Sequence, residues 1–289
     1  MTSYEVNASP PLERPVLVVG LEGWVDAGLG AANAIAAIMD EPATVLVATF
    51  DGDRYIDQRA RRPIARIVDG VTTELTWPRI QLLAGHDEAG ADVLFLVGPE
   101  PDYHWAGFVD DVVRLALDHA VRMVVGLGAF PAPAPHTRPV RLAATAPASS
   151  AELVARVGLV PGELVVPAGV MSALELGLGA ADVPVVTLWA RVPHYVSAMP
   201  FPTASAALLD GLAAVTGLTF DTSTLRAAGD RAKRKVDELV APNREHRAMV
   251  RTLEEAIDAS EGNALGLEEL PTGDELAAEL ERFLRGEQP

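Results

Sequence analysis

The sequence predicts an α/β protein: a three-layer α/β/α sandwich with a mostly parallel sheet, followed by an all-α C-terminal appendix. Three observations predict it. Short continuous apolar runs recur along the chain, of the kind buried on both faces of a parallel sheet. Between them lie stretches of good helix formers with apolar residues at helical spacing. Beyond residue 220 the strand-like runs stop and only helical patterns follow.

Taken in order, residues 1–14 are polar and proline-bearing and are expected to form a flexible N-terminus. The main domain is placed at residues 15–220. It opens with the strand Pro15-Val-Leu-Val-Val-Gly20, a glycine-rich turn and a helix over residues 31–39 with Ile35, Ile38 and Met39 on one face. A strand over residues 44–50 completes a βαβ crossover, expected to be right-handed. Alternation over residues 64–71 and 72–77 around Asp69-Gly70 predicts an antiparallel hairpin.

The α/β rhythm then returns with a strand over residues 92–97, a helix over 105–120 carrying Phe108, Val112, Leu115 and Ala116, and a strand over 122–127. The run Phe130-Pro-Ala-Pro-Ala-Pro135 is too stiff to continue either element and reads as a rim loop leading to a strand at 140–144. A helix at 150–157, strands at 163–166 and 183–189, and helices at 170–178 and 204–215 complete the domain. The appendix, residues 221–289, holds helical patterns at 223–240, 243–259 and 273–284, with Pro242 between the first two. Leu253, Ala256 and Ile257 form an apolar stripe expected to dock on the chain's own core.

Composition excludes several function classes. Among 289 residues there is no cysteine, which removes disulfides, thiolate nucleophiles and cysteine metal sites. Lys233 and Lys235 are the only lysines, so a Walker loop, a kinase strand lysine and a Schiff-base lysine all lack their central residue. The formal charge of −17 opposes nucleic acid and anionic membrane surfaces. The one basic run, Arg231-Ala-Lys233-Arg234-Lys235, is flanked by Asp230, Asp237 and Glu238 and reads as a solvated mixed-charge helix face. No signal peptide or membrane segment is evident, and the cytoplasm is the expected compartment.

Ligands of open α/β sheets meet the loops after the strands, so candidate residues are sought there. In Gly20-Leu-Glu22-Gly23-Trp24-Val-Asp26-Ala-Gly28-Leu-Gly30 the glycines suit either an anion cradle or a tight turn that sets Asp26 at a helix start, and the dinucleotide spacing is missing. Asp51-Gly-Asp53-Arg54-Tyr55-Ile-Asp57-Gln-Arg59 reads as a salt-linked polar rim rather than a calcium loop. The loops bearing Glu100 and Trp105, and Trp189, His194 and Tyr195, mix aromatic with ionisable groups. That mixture fits a small-molecule pocket or a protein interface. Ser172 sits inside a helical pattern, and His86, His104, His119, His136, His194 and His246 are scattered without metal spacing. The candidate ligand or interface residues are therefore Trp24, Asp26, Asp53, Glu100, Trp105, Trp189, His194 and Tyr195, with no metal and no cofactor expected.

Together these loops resemble the PAC2 (proteasome assembly chaperone 2) family in its long actinobacterial form. The resemblance is carried by Gly23-Trp24-Val25-Asp26-Ala27-Gly28, Asp51 through Arg62-Pro63, Thr76-Trp77-Pro78, Gly98-Pro99-Glu100-Pro101 with Trp105, Leu127-Gly128-Ala129 and Leu188-Trp189-Ala-Arg-Val-Pro193-His194-Tyr195-Val196, in consistent order over roughly residues 15–215. It implies a core related in fold to purine nucleoside phosphorylases, and self-association or pairing with a similar subunit. In eukaryotes and archaea, relatives of this type escort proteasome subunits. Some of them dock through a C-terminal hydrophobic-Tyr-x tail, whereas this chain ends Arg285-Gly-Glu-Gln-Pro289.

Two functions follow as expectations. The first is a non-catalytic binding or assembly protein whose partners are itself and proteasome components. The second is a phosphorylase- or hydrolase-like enzyme acting on a small metabolite such as a nucleoside, with Trp24, Asp26, Asp53 and His194 around one enclosed concavity.

Overall fold

The structure, a computed structural model, describes residues 3–23, 25–39 and 44–262. Its first half runs β1 (Tyr4–Val6), β2 (Val16–Glu22), α1 (Gly30–Met39), β3 (Val45–Phe50), α2 (Gly52–Tyr55), β4 (Ile64–Val68), β5 (Val71–Thr76), β6 (Gln81–His86) and β7 (Asp92–Pro99). Its second half runs α3 (Trp105–Asp118), β8 (Met123–Ala132), β9 (Leu142–Thr145), α4 (Ala151–Val157), α5 (Val170–Ala180), β10 (Val185–Pro193), α6 (Pro202–Thr216), α7 (Ser223–Val240) and α8 (Arg244–Gly262).

Eight of the strands form one sheet in the order β1-β3-β6-β7-β2-β8-β10-β9. Its centre, β7-β2-β8-β10, is parallel, while β6, β3 and β1 on one side and β9 on the other are joined by antiparallel pairings. Because β6 reverses direction and β3 reverses it again, five of the eight strands run the same way. The apolar runs make this sheet because both of its faces are covered. Val16 and Val18 of β2 enter one core with α1, α4 and α6, whereas Leu17 and Val19 enter the other with α3 and α5. The result is the expected sandwich.

Several details depart from the sequence reading. Tyr4–Val6, within the segment expected to fray, pairs with Phe50, Thr49 and Ala48 at the sheet edge, and the Ser3 amide donates to the buried Asp111 carboxylate at 3.0 Å. β6 was not expected at all, since Gln81-Leu-Leu-Ala-Gly-His86 is short and carries a glycine. It inserts with β7 between β2 and β3, so the first crossover spans two intervening strands. β8 continues through Phe130 and Pro131 to Ala132, where a stiff loop was expected. Pro131 is tolerated because β2 stops pairing with β8 at Gly126, leaving β10 as the strand neighbour there. Residues 163–166, expected as a strand, join no sheet. The helix expected at 273–284 lies outside the described residues.

The C-terminal helices are docked on the core, and their acidic residues reach the loop between β8 and β9. Along α7, Leu225 and Val236 are buried with the α6 layer, and Gly229 lies against Thr203, where a Cβ would stand 2.7 Å from Oγ1 and 3.3 Å from the backbone nitrogen. On α8, Val250 is buried and Leu253 and Ile257 are half-buried, a stripe at helical spacing facing inward, whereas Ala256 is exposed. Arg138 grips Asp258 with Nε at 2.8 Å and Nη2 at 2.7 Å, and Thr137 Oγ1 donates to Glu254.

Replacing Gly229 by Leu should force α7 off α6, at a cost of about 1–3 kcal/mol for overpacking. The expected result is a lower melting temperature and preferential proteolytic cleavage after residue 221 while the α/β domain stays protected. Unchanged melting and cleavage would mean that α7 is not held by this close approach.

Candidate functional site

The carboxyl ends of the central strands form a rim built from the loops after β2, β3, β7, β8 and β10. The rim carboxylates mostly face backbone amides of their own chain. Asp26 accepts from the Ala31 and Ala32 amides at 2.8 and 3.0 Å, filling the first turn of α1 with a negative charge. An exogenous anion at that helix start would meet Asp26 first, so the turn reading of the glycine loop prevails over the phosphate cradle. Glu100 repeats the device at α5, where Oε1 accepts the Val170 amide, and it is buried beside Gly23. Asp51 caps the single turn of α2, accepting from Asp53 at 3.0 Å and Arg54 at 3.3 Å.

Asp53 itself is exposed in that turn. Its neighbour Tyr55 belongs to the core on one face of the sheet, while Ala27, next to Asp26, and Val196, near His194, belong to the core on the other. Asp26, Asp53 and His194 therefore hang from opposite layers. The loop after β3 is laced to the loop after β7: Tyr103 donates to Asp57 at 3.0 Å, the Asp57 amide donates to Asp102 at 2.8 Å, and Arg61 lies 3.4 Å from Asp102. Hydrogen bonds from the Arg59 amide and Tyr103 hold Asp57 below the usual carboxylate range. The polar rim that the sequence suggested is present, but its ion pair joins Arg61 to Asp102 rather than Arg54 or Arg59 to the carboxylates of their own loop. Among the described residues no group of histidines and carboxylates is arranged to hold a metal ion.

The aromatic candidates are also anchored. Trp105, half-buried at the start of α3, donates Nε1–H to the Pro101 carbonyl at 2.6 Å. Trp189 lies over Gly128, where a Cβ would stand 2.4 Å from the indole ring, and donates to Thr145 Oγ1 at 3.0 Å. Thr145 and Thr187 in turn donate to Glu175 of α5, a carboxyl that burial pushes above its ordinary range. Arg191, on the same sheet face as Trp189, is pulled below arginine's usual range by burial and then by Arg141. Trp24 lies outside the described residues.

His194 is exposed, but Tyr195 is turned inward to a partner that sequence reasoning missed. The Tyr195 hydroxyl accepts the His136 amide at 2.7 Å and lies 2.7 Å from His136 Nδ1, and the other ring nitrogen, Nε2, is 3.0 Å from Asp237 of α7. Burial pushes the Tyr195 phenol up to about 12. His136 is itself buried, so this chain of three groups pins the appendix to the end of β10. Sequence separations of 59 and 101 residues hide it from any local pattern. The only signal available was a histidine directly following a proline-rich loop.

Glu175 supplies a pH test. Its folded-state value is raised above the ordinary 4.5 by burial, so the native state holds its proton at pH values where the unfolded chain has lost it. That contribution to stability is present at low pH and is lost as pH rises through the folded-state value. Glu175→Gln removes the ionisation while keeping an acceptor for both threonines. Melting curves between pH 4.5 and 8 should show the variant gaining on the parent as pH rises, and parallel pH profiles would contradict the raised value.

The whole architecture is shared with known proteins. A Corynebacterium glutamicum protein of unknown function matches with a TM-score of 0.83 and 31% identity over 91% of this chain and 99% of its own. A Mycobacterium tuberculosis protein of unknown function matches at 0.81 and 33%, over 90% of this chain and 92% of its own. A second Mycobacterium tuberculosis protein, described as a proteasome-assembly chaperone homologue, matches at 0.75 and 34%, over 81% of this chain and 99% of its own. Among curated proteins none is similar. Residues 20–240 fit the pattern of the PAC2 family, which takes in every rim loop described above and α7 but not α8, and the chain belongs to that family.

Proposed function

We propose that the chain is a non-catalytic protein-binding module that serves in the assembly of a larger complex, with proteasome subunits and further copies of itself as partners and the cytoplasm as its compartment. One observation carries this reading: the candidate groups best placed for acid–base work, Asp26, Glu100 and Tyr195, are engaged within the chain, while large apolar groups of the rim are left to solvent. Both oxygens of Asp26 face helix amides, Glu100 is capped onto α5, and the Tyr195 hydroxyl is committed to His136. A general acid or base needs a polar atom turned toward a substrate. By contrast Trp77 and Tyr103 expose nearly half of their surface at the rim, as do several aliphatic residues of the β4–β5 hairpin. Exposed aromatic and aliphatic groups on a rigid scaffold are the material of protein interfaces.

The partner class rests on likeness to the mycobacterial proteasome-assembly chaperone homologue, at 34% identity over 81% of this chain. Of the candidate residues Trp24, Asp26, Asp53, Glu100, Trp105, Trp189, His194 and Tyr195, the seven within the described residues, all but Trp24, divide accordingly. Asp26, Glu100, Trp105, Trp189 and Tyr195 shape the rim from within, and the exposed Asp53 and His194 are placed for contact.

The purified chain should co-migrate with separately purified proteasome α or β subunits from the same cell and raise the yield of assembled particle. Binding to neither subunit, or release of free base from a nucleoside in phosphate buffer by the purified chain, would overturn the proposal.

A further inference from the structure

Two stretches at the rim have the sequence of β-structure but no partner for it among the described residues. The first is the β4–β5 hairpin. Its turn is the Asp69-Gly70 pair with φ of 49° and 82°, and it forms a two-stranded sheet of its own. A hairpin of two strands is marginal in water unless a third strand or another layer covers it. Every residue of this one is exposed, yet its composition is that of a covered strand pair. Ile64 is 73% exposed and Val71 63% on one face, and Ile67 is 62% exposed on the other.

The second stretch is Glu163-Leu164-Val165-Val166, between α4 and α5. Two β-branched residues and a leucine predict a strand, and the backbone is unpaired, with Val165 91% exposed and Val166 67%. Natural sequences avoid leaving a flat apolar strand without a partner.

Both stretches sit at the same rim. The hairpin leaves the end of β3 and returns at the start of β6, and the segment leads into α5, whose first turn meets Glu100 at the end of β7. One chain thus carries a hairpin lacking a third strand and a strand lacking a sheet. A second copy supplies each with what it lacks, in equal number. The electrostatics allow it. A chain of net charge −17 repels itself over most of its surface, but the hairpin pairs Arg66 with Glu74 across its strands and is otherwise charged only at Asp69. The apolar area is that of a modest contact. With roughly 60–120 Å² of apolar surface per Val, Leu or Ile side chain, the exposed aliphatics of the two stretches amount to about 500 Å². A reciprocal pair uses both stretches of each copy, which with the paired backbone approaches the roughly 800 Å² per partner of a standard interface, whereas a single contact falls below it.

We propose that copies of this chain associate by β-complementation, with residues 164–166 of one copy adding as a strand to the edge of the β4–β5 hairpin of the next. The contact joins unlike surfaces, so it yields a reciprocal pair, a ring where the rotation closes, or an open chain where it does not. It rests on the reading of the rim as a protein-binding surface, but not on the identity of any foreign partner.

The test is the mass of the purified full chain in solution, by light scattering after size exclusion, with no other protein present. The parent should be oligomeric. Val165→Pro, which removes a strand amide in an exposed segment, and the double substitution Ile67→Asp with Leu75→Asp should each weaken association at least tenfold and give monomers that still melt cooperatively, lower than the parent only by the stability that association supplies. Mixed together, the two monomeric variants should form a one-to-one pair, because one intact hairpin then meets one intact segment. A monomeric parent, variants that keep the parent's mass, or a mixture that stays monomeric overturns the proposal. Proteasome subunits do not enter this measurement, so its failure is separable from failure of the function proposed above.

Discussion

A sheet covered on both faces leaves function only its ends. In β2, β7, β8 and β10 alternate side chains enter two different cores, and nothing along those strands faces water over their buried length. Polar chemistry is therefore confined to the loops at the carboxyl end. There it meets a second demand, because α1, α2 and α5 each begin at the rim with backbone amides that lack an intrahelical partner. Asp26, Asp51 and Glu100 answer that demand from within the chain. A carboxylate already placed at each helix start offsets the helix dipole and opposes a second anion. The rim of this fold is in that sense already liganded by its own side chains.

The same loops fix the appendix. α7 and α8 are rich in charge, and their stability in place comes from burying Leu225, Val236 and Val250 rather than from helix propensity alone. Burial is non-directional, so it does not by itself set where along the core the helices come to rest. Asp237, Glu254 and Asp258 set it by meeting His136, Thr137 and Arg138, three consecutive residues of the loop after β8. Exposed ion pairs add little stability, and their contribution here is position. The Asp237 contact differs in kind, since its partner His136 is buried and passes the constraint on to Tyr195. The end of β10 and the end of α7 thus share one hydrogen-bonded chain, and the helices cover part of the rim they are pinned to.

What could be read in the sequence divides along physical lines. The apolar runs of β2, β3, β7, β8 and β10 and the helices between them were legible because each carries its period within a few residues. β1 and β6 were not, being strands whose existence depends on an already formed neighbour, β3 for Tyr4–Val6 and β7 for Gln81–His86. Pro131 was misread for the converse reason: a proline is incompatible with a strand flanked on both sides, and only the topology reveals that β2 has ended there. Of the site, the capping role of Asp26 was visible from its place before a helix. The joining of His136 to Tyr195 and Asp237 was invisible, because it depends on three segments meeting in space.

Residues 163–166 are the most instructive disagreement. Their local preference for β-structure is strong and the single chain leaves it unmet, while the β4–β5 hairpin presents the opposite want of a neighbouring strand. Sequences that fold well keep local preference and global structure consistent, and departures concentrate where function requires them. Here the departure is confined to the rim, the one region that the two-faced core leaves open. A scaffold that caps its helix starts with its own carboxylates and leaves strand-forming apolar segments unpaired is suited to the proposed recognition by backbone pairing and shape. That mode of recognition needs neither a reactive lysine nor a thiol, and it fits a chain whose α/β domain has none of either.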